Sequence, residues 1–165
     1  MNIFITGSPG CGKSTLIKKL MERAEGRKIA GIITPEIRKT GKRWGFKIID
    51  IVTGSEEILS SVEIKPPVVG RYGVNINGME RIIDLFLESA EDAEYIFIDE
   101  IGPMELHSSK FREVIARMLN SDKSVIATLH RSLVGRYESR GKIVYLTKEN
   151  FDHVLEEVVE SLKLG

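Results

Sequence analysis

Residues 7–15 read Gly-Ser-Pro-Gly-Cys-Gly-Lys-Ser-Thr, and this run fits the spacing G-x-x-x-x-G-K-[ST] with Gly7, Gly12, Lys13 and Ser14 in the required places. Each position has a separate physical job. Gly7 and Gly12, helped by Gly10, let the backbone turn with positive φ and approach an anion with no Cβ in the way. The main-chain N–H groups of residues 8–14 then converge as an anion-binding nest. Lys13 brings a point charge to the β- and γ-phosphates of a nucleotide, and the Ser14 hydroxyl suits Mg²⁺. A helix opening near Lys13 adds its positive dipole end. Gly7, Ser8, Pro9, Gly10, Cys11, Gly12, Lys13, Ser14 and Thr15 are therefore the expected nucleotide-binding residues.

The flanks fit the loop. Asn2-Ile3-Phe4-Ile5-Thr6 is a short β-rich run before it. Leu16, Ile17, Leu20 and Met21 make a helical apolar stripe after it, with lysines on the other face. A chance glycine-rich turn would lack this strand–loop–helix context.

Bulk properties narrow the classes. A chain of 165 residues is expected to form one domain, spanning 1–165. Lys and Arg total 24 and Asp and Glu total 24, so the net charge is zero and no general basic field for nucleic acid exists. The single cysteine, Cys11, cannot form an intramolecular disulfide, which fits a reducing, cytoplasmic setting. Next to a helix N-terminus its thiol pKa would fall, but a small space-filling role is the simpler reading. No signal peptide is expected, since the first residues already read as strand and loop. No apolar run approaches the ~20 residues of a membrane helix. The 29% charged content, much of it on helix faces, suits a thermophile.

Apolar runs place strands near residues 2–6, 28–34, 45–51, 95–98, 124–128 and 142–146. Helices are expected near 13–25, 78–89, 108–120 and 150–162, the second and fourth with clear core stripes. The alternation predicts a mostly parallel sheet with helices on both faces. Residues 34–72 break the rhythm, with turns at Thr40-Gly41-Lys42 and Thr53-Gly54-Ser55 and a break at Pro66-Pro67. They read as an antiparallel β excursion at one edge.

A second constellation follows at Tyr95-Ile96-Phe97-Ile98-Asp99-Glu100. An apolar run ending in two carboxylates describes a buried strand whose C-terminal end reaches the ligand crevice. Asp99 suits the Walker B role, holding Mg²⁺ with Ser14. Glu100 then suits the base, or the orienter, for a water attacking the γ-phosphate. It also makes the chain resemble the P-loop subclass with an extra strand between the strands of the two motifs; by that fold analogy the extra strand is 124–128 and the parallel order 5-1-4-3-2. Thr128, ending that strand, and His130 just past it are, by the same analogy, candidates to touch the γ-phosphate or the attacking water; a plain strand-end threonine and a loop histidine are the equal alternative. Arg131, Arg136 and Arg140 after it, and Arg38 and Arg43 in the excursion, are candidates to close over a bound nucleotide, although no motif marks any of them and a solvated surface place is the simpler reading for each. Trp44 is a candidate to stack on a base, whereas Phe46 suits packing of the excursion.

Taken together, GSPGCGKSTL, GIITPEIR, RWGFKIID, VGRYGV and IFIDEIGPMEL form an ordered series across most of the chain. The series resembles the P-loop nucleoside-triphosphatases first described in thermophiles, whose relatives include the cancer-related nucleoside-triphosphatase of animals. The resemblance implies a three-layer α/β/α P-loop domain that hydrolyses ATP, GTP and other nucleoside triphosphates with Mg²⁺, slowly and with broad base tolerance. It implies Lys13 and Ser14 at the phosphates and metal, Asp99 at the metal and Glu100 at the water. It also gives weight to Glu36, Arg38 and Glu105, either ordering the edge of the site or pairing with one another.

Two other readings stay open at this point. The loop also resembles that of nucleotide kinases, with Arg131, Arg136 and Arg140 as a lid; the Asp99-Glu100 pair and the lack of a visible acceptor-binding segment speak against it. A nucleotide-dependent switch or binding subunit fits slow turnover equally well. A monomer is expected. A nucleic-acid partner is not, although Arg38, Lys39, Lys42 and Arg43 make a local basic run.

Overall fold

The computed structural model describes residues 1–165. Its spine is one ten-stranded sheet. Five strands are parallel: β1 (Asn2–Thr6), β2 (Ile29–Ile33), β8 (Tyr95–Ile101), β9 (Ser124–Leu129) and β10 (Lys142–Tyr145). They run in the order β10-β1-β9-β8-β2, which is the expected 5-1-4-3-2 when the parallel strands are numbered alone.

The remaining strands lie between residues 36 and 74: β3 (Glu36–Lys39), β4 (Lys42–Asp50), β5 (Glu56–Ser61), β6 (Val68–Val69) and β7 (Tyr72–Val74). β4 pairs antiparallel with β2, so the excursion continues the same sheet rather than packing against its edge. The antiparallel path then runs β4-β5-β7-β6, with β3 paired to β4 beside it. Sequence patterning misses β6 and β7, because strands of two and three residues are too short to show alternation.

The helices are α1 (Lys13–Arg23), α2 (Ile76–Ala90), α3 (Ser109–Leu119), the short α4 (Val134–Tyr137) and α5 (Phe151–Leu162). The period-2 alternation of the strands divides the core between the two sheet faces. Tyr95 and Phe97 of β8, with Ile3 and Ile5 of β1, pack against α1 and α5. Ile96 and Ile98, with Phe4, pack against α2 and α3. Two helix starts are tied by side chains. Asn75 accepts from Gly78 N at 3.1 Å, and Ser108 accepts from Phe111 N at 3.0 Å. No helix is long and apolar enough to cross a membrane.

Candidate active site

β1 delivers the chain into the glycine loop, and α1 leaves it. Gly7 is required by close approach: a Cβ there would lie 2.5 Å from the Leu146 carbonyl oxygen and 2.8 Å from Cys11 Sγ. Gly12, at φ 105°, caps α1 in a left-handed conformation that side chains resist. No side chain caps this helix, which leaves its first amides for an anion. Lys13 Nζ donates to Gly7 O at 2.9 Å and Ser8 O at 3.4 Å, so its ammonium lies across the mouth of the loop. Ser14 and Thr15 are exposed on the first turn. Cys11 is buried in the α1–α5 core, in agreement with a packing role.

Asp99 and Glu100 stand at the C-terminal end of β8, half-buried. Neighbouring strands hold both. Thr34, just past β2, donates from its amide to Asp99 O at 2.7 Å and from its hydroxyl to the same oxygen at 2.6 Å. The Glu100 amide donates back to Thr34 Oγ1 at 3.1 Å. Thr128, fully buried at the end of β9, donates to Asp99 Oδ1 at 2.6 Å. Its hydroxyl is therefore committed to orienting the aspartate, which argues against a direct place for it at a γ-phosphate.

A third carboxylate completes the group. Glu105, in a short 3-10 turn after β8, is only 3% exposed. A Cβ on Gly102 would lie 3.0 Å from Glu100 Oε1 and 3.2 Å from Glu105 Oε2, so the two carboxylates converge on one small space. Burial raises the Glu100 pKa to about 7, the Asp99 charge adds to the rise and Lys13 opposes it. Burial likewise pushes Glu105 up to about 8, with the charges of Glu100 and Asp99 adding to the effect. Both acids hold protons near neutrality far better than an ordinary glutamate.

These groups line a cleft of about 430 Å³. Lys13 and Ser14 form one wall, Asp99 and Glu100 the floor, and Glu36, Arg43, Phe46, Val69 and Tyr72 the opposite wall. His130 closes one side. Its Nδ1 accepts from the Ser132 amide at 3.2 Å. Burial and the nearby charges of Lys13 and Arg131 lower its pKa, favouring a neutral ring. Glu36 bridges two arginines as ion pairs, 2.6 Å from Arg38 Nε and 2.8 Å from Arg43 Nε. Of that trio, Glu36 and Arg43 face the cleft.

Several candidates lie elsewhere. Arg38 and Arg131 are exposed and outside the cleft lining. Arg140 donates to Asn120 Oδ1 at 2.9 Å, and Arg136 lies over the Tyr137 ring. Trp44 lies under Lys39 Nζ, 3.8 Å from the ring centroid, and faces a separate opening shared with Lys42 and Arg71. Residues 8–11 border another shallow opening with Leu146, Thr147, Lys148 and Glu149. Val69, Tyr72 and Met104 are wall residues for which the sequence holds no local signal.

Oxygen donors from one hydroxyl and one carboxylate suit a hard cation such as Mg²⁺. No cluster of three or more His, Cys, Asp or Glu side chains is arranged to hold a metal alone. The donor set therefore fits a cation that takes part of its coordination from substrate phosphates.

Comparison with known proteins agrees with this arrangement. Residues 2–159 match the family model described as NTPase. A nucleoside-triphosphatase THEP1 of Methanocaldococcus jannaschii is 42% identical, with 100% of this chain and 99% of the relative covered. A Thermotoga petrophila protein of the same name is 45% identical over 100% of this chain and 94% of its own length. The crystal structure of THEP1 from Aquifex aeolicus superposes with a TM-score of 0.86 at 37% identity, covering 99% of each chain. The solution structure of a human cancer-related nucleoside triphosphatase gives 0.78 at 30% identity, covering 98% of this chain and 97% of that one. With residues 2–159 matching the family model and relatives alike over the whole length, this chain belongs to the NTPase family.

Proposed function

We propose that the cleft hydrolyses nucleoside 5'-triphosphates to the diphosphate and phosphate, with Mg²⁺ bound alongside the substrate. The observation that carries this reading is the placement of Glu100, a half-buried carboxylate on the cleft floor opposite Lys13 and Ser14. The loop amides and the start of α1 receive the β-phosphate, and Lys13 exchanges its bonds to Gly7 O and Ser8 O for the β- and γ-phosphate oxygens. Ser14 and Asp99 would hold Mg²⁺, with Thr128 fixing the aspartate from behind. When bound, the metal offsets charge on the phosphate oxygens. Glu100 takes a proton from the attacking water as the new O–P bond forms and the bond to the β–γ bridging oxygen breaks. Thr34 holds the Glu100 amide, and so sets where that carboxylate starts.

The opening beside residues 146–149 is the natural neighbour of a nucleoside bound at the loop. It mixes Ser8, Pro9, Thr147 and Lys148 rather than forming a slot shaped to one base, which supports broad base tolerance. A monomeric, cytoplasmic enzyme is the accompanying reading; the single buried cysteine, free of any disulfide, supports the reducing compartment.

The test is phosphate release from ATP, GTP, CTP and UTP with Mg²⁺ and with a chelator. Release from several nucleotides that stops on chelation is the expected result. Release unaffected by chelation overturns the metal assignment, and tight nucleotide binding with no release overturns hydrolysis.

A further inference from the structure

For hydrolysis the cleft must take the γ-phosphate and its cation at Lys13, Ser14 and Asp99, and one attacking water, roughly 30 Å³ of liquid volume. The cleft holds about 430 Å³, which lies within the range of small-molecule sites. Its lining also includes Phe46, Val69, Tyr72, Met104 and Glu105, none of them in the phosphate loop, and the strand β4 that carries Phe46 lies on the side of β8 away from β1; these residues form the far half of the cleft. We propose that this far half is an acceptor site, and that the protein transfers the γ-phosphoryl group to an uncharged, ring-bearing alcohol of the nucleoside class as well as to water. This rests on the hydrolysis reading for the placement of the triphosphate and of Glu100.

Three observations define the acceptor. The first is an aromatic wall. Phe46 and Tyr72 meet edge-on, with centroids 5.6 Å apart and planes at 74°, and Val69 and Met104 extend the apolar surface. A flat ring is the group such a wall covers best. The second is an unpartnered polar atom. Glu105 lines the cleft, is 3% exposed, and its Oε2 has no hydrogen-bond partner in the protein. A buried oxygen in that state calls for a hydrogen-bonding group on a ligand. The third is charge. Lys13 faces the phosphate loop, and the other lining cation, Arg43, is already engaged by Glu36 at 2.8 Å. With three carboxylates lining the cleft besides Glu36, the far half holds no free cation for a second phosphate. A nucleoside fits these terms, and a nucleoside monophosphate does not. The acceptor-binding segment that the sequence alone does not reveal is thus assembled from β4, β6, β7 and the turn after β8.

The step balances without a further reactant. The acceptor hydroxyl oxygen bonds to the γ-phosphorus as the bond to the β–γ bridging oxygen breaks. Its proton passes to Glu100, and the electron pair of the broken bond leaves on the nucleoside diphosphate.

Two measurements on the full-length protein test the proposal. In the first, γ-labelled ATP and Mg²⁺ are incubated with adenosine, guanosine, cytidine, uridine or pyridoxine, and separately with the nucleoside monophosphates. In the second, calorimetry measures binding of the same alcohols to the protein without nucleotide or metal. Val69→Trp, which fills the far half, and Phe46→Ala, which removes its wall, are compared with wild type. The expected result is binding of at least one alcohol and label in its phosphate ester, with none transferred to the monophosphates. Both variants should reduce binding and transfer by about tenfold or more while water-only hydrolysis persists. Label found only in inorganic phosphate, binding without transfer, or transfer indifferent to Val69→Trp each overturns the acceptor site and leaves hydrolysis standing. Preference for the monophosphates overturns the charge argument, and with it the proposed acceptor class. Absence of any label release overturns the hydrolysis reading itself.

Discussion

The wall of the cleft that carries Lys13 and Ser14 comes from one unbroken run of chain. The opposite wall is gathered from β3, β4, β6, β7 and the turn after β8. On the proposed reading, the first wall takes what all nucleoside triphosphates share, a polyphosphate, for which backbone amides and one lysine suffice. The second would face the attacking group, and its residues differ in kind: two aromatic rings, a bridged arginine and a buried acid. The contrast teaches that phosphate recognition is local and stiff, while the choice of what attacks is a tertiary property.

Breaking the local wall has the largest expected effect. Lys13→Ala removes the side-chain cation that bonds the carbonyls of the loop, and turnover should fall on the order of 10²- to 10³-fold, read by phosphate release at saturating nucleotide. Thr34→Val attacks the join between the walls. It leaves the Glu100 amide without its acceptor, which should cost about 1–3 kcal/mol in denaturant unfolding and lower turnover about tenfold.

Glu105 sharpens the comparison through pH. Its pKa is raised from 4.5 to about 8 in the folded, metal-free protein. Between those values the folded state binds more protons than the unfolded state. Stability is therefore lost as pH rises from about 4.5, and the loss levels off above about 8. One such group contributes a slope of at most about 1.4 kcal/mol per pH unit. Glu105→Gln should flatten the slope in denaturant titrations across this window. A slope equal to wild type would mean that Glu105 is not the buried acid responsible. Glu36→Gln should do least. Its two arginine partners are half or more exposed, so stability should change by less than about 1 kcal/mol in the same titration.

The same contrast explains what could be read from the chain. The phosphate loop was legible because the chemistry demands residue types at set spacings within nine consecutive positions. Asp99 and Glu100 were legible because an apolar run ending in acids has few other uses beside such a loop. The order of the parallel strands came from the analogy that this pairing suggests with a subclass of P-loop folds, and the sheet has that order. The far wall was not legible. Val69 and Tyr72 sit on strands of two and three residues, too short for a pattern. Glu105 lies in Met104-Glu105-Leu106, which the resemblance singles out, but its burial beside Glu100 depends on how the turn packs, with the Ser60 hydroxyl directed at Met104 Sδ at 3.3 Å. Thr128 was placed at the right strand end, but its bond to Asp99 depends on the register of β9 against β8. The antiparallel pairing of β4 with β2, which carries the far wall to the cleft, joins segments whose local sequence does not reveal their partner.

The central claim is that Glu100 activates the attacking water, and the most direct test pairs turnover with affinity. Wild type and Glu100→Gln are compared in phosphate release from ATP with Mg²⁺, with nucleotide binding measured on the same preparations. The account predicts binding within a few-fold of wild type and turnover lower by about 10²- to 10⁴-fold. A variant that binds and turns over like wild type would contradict it.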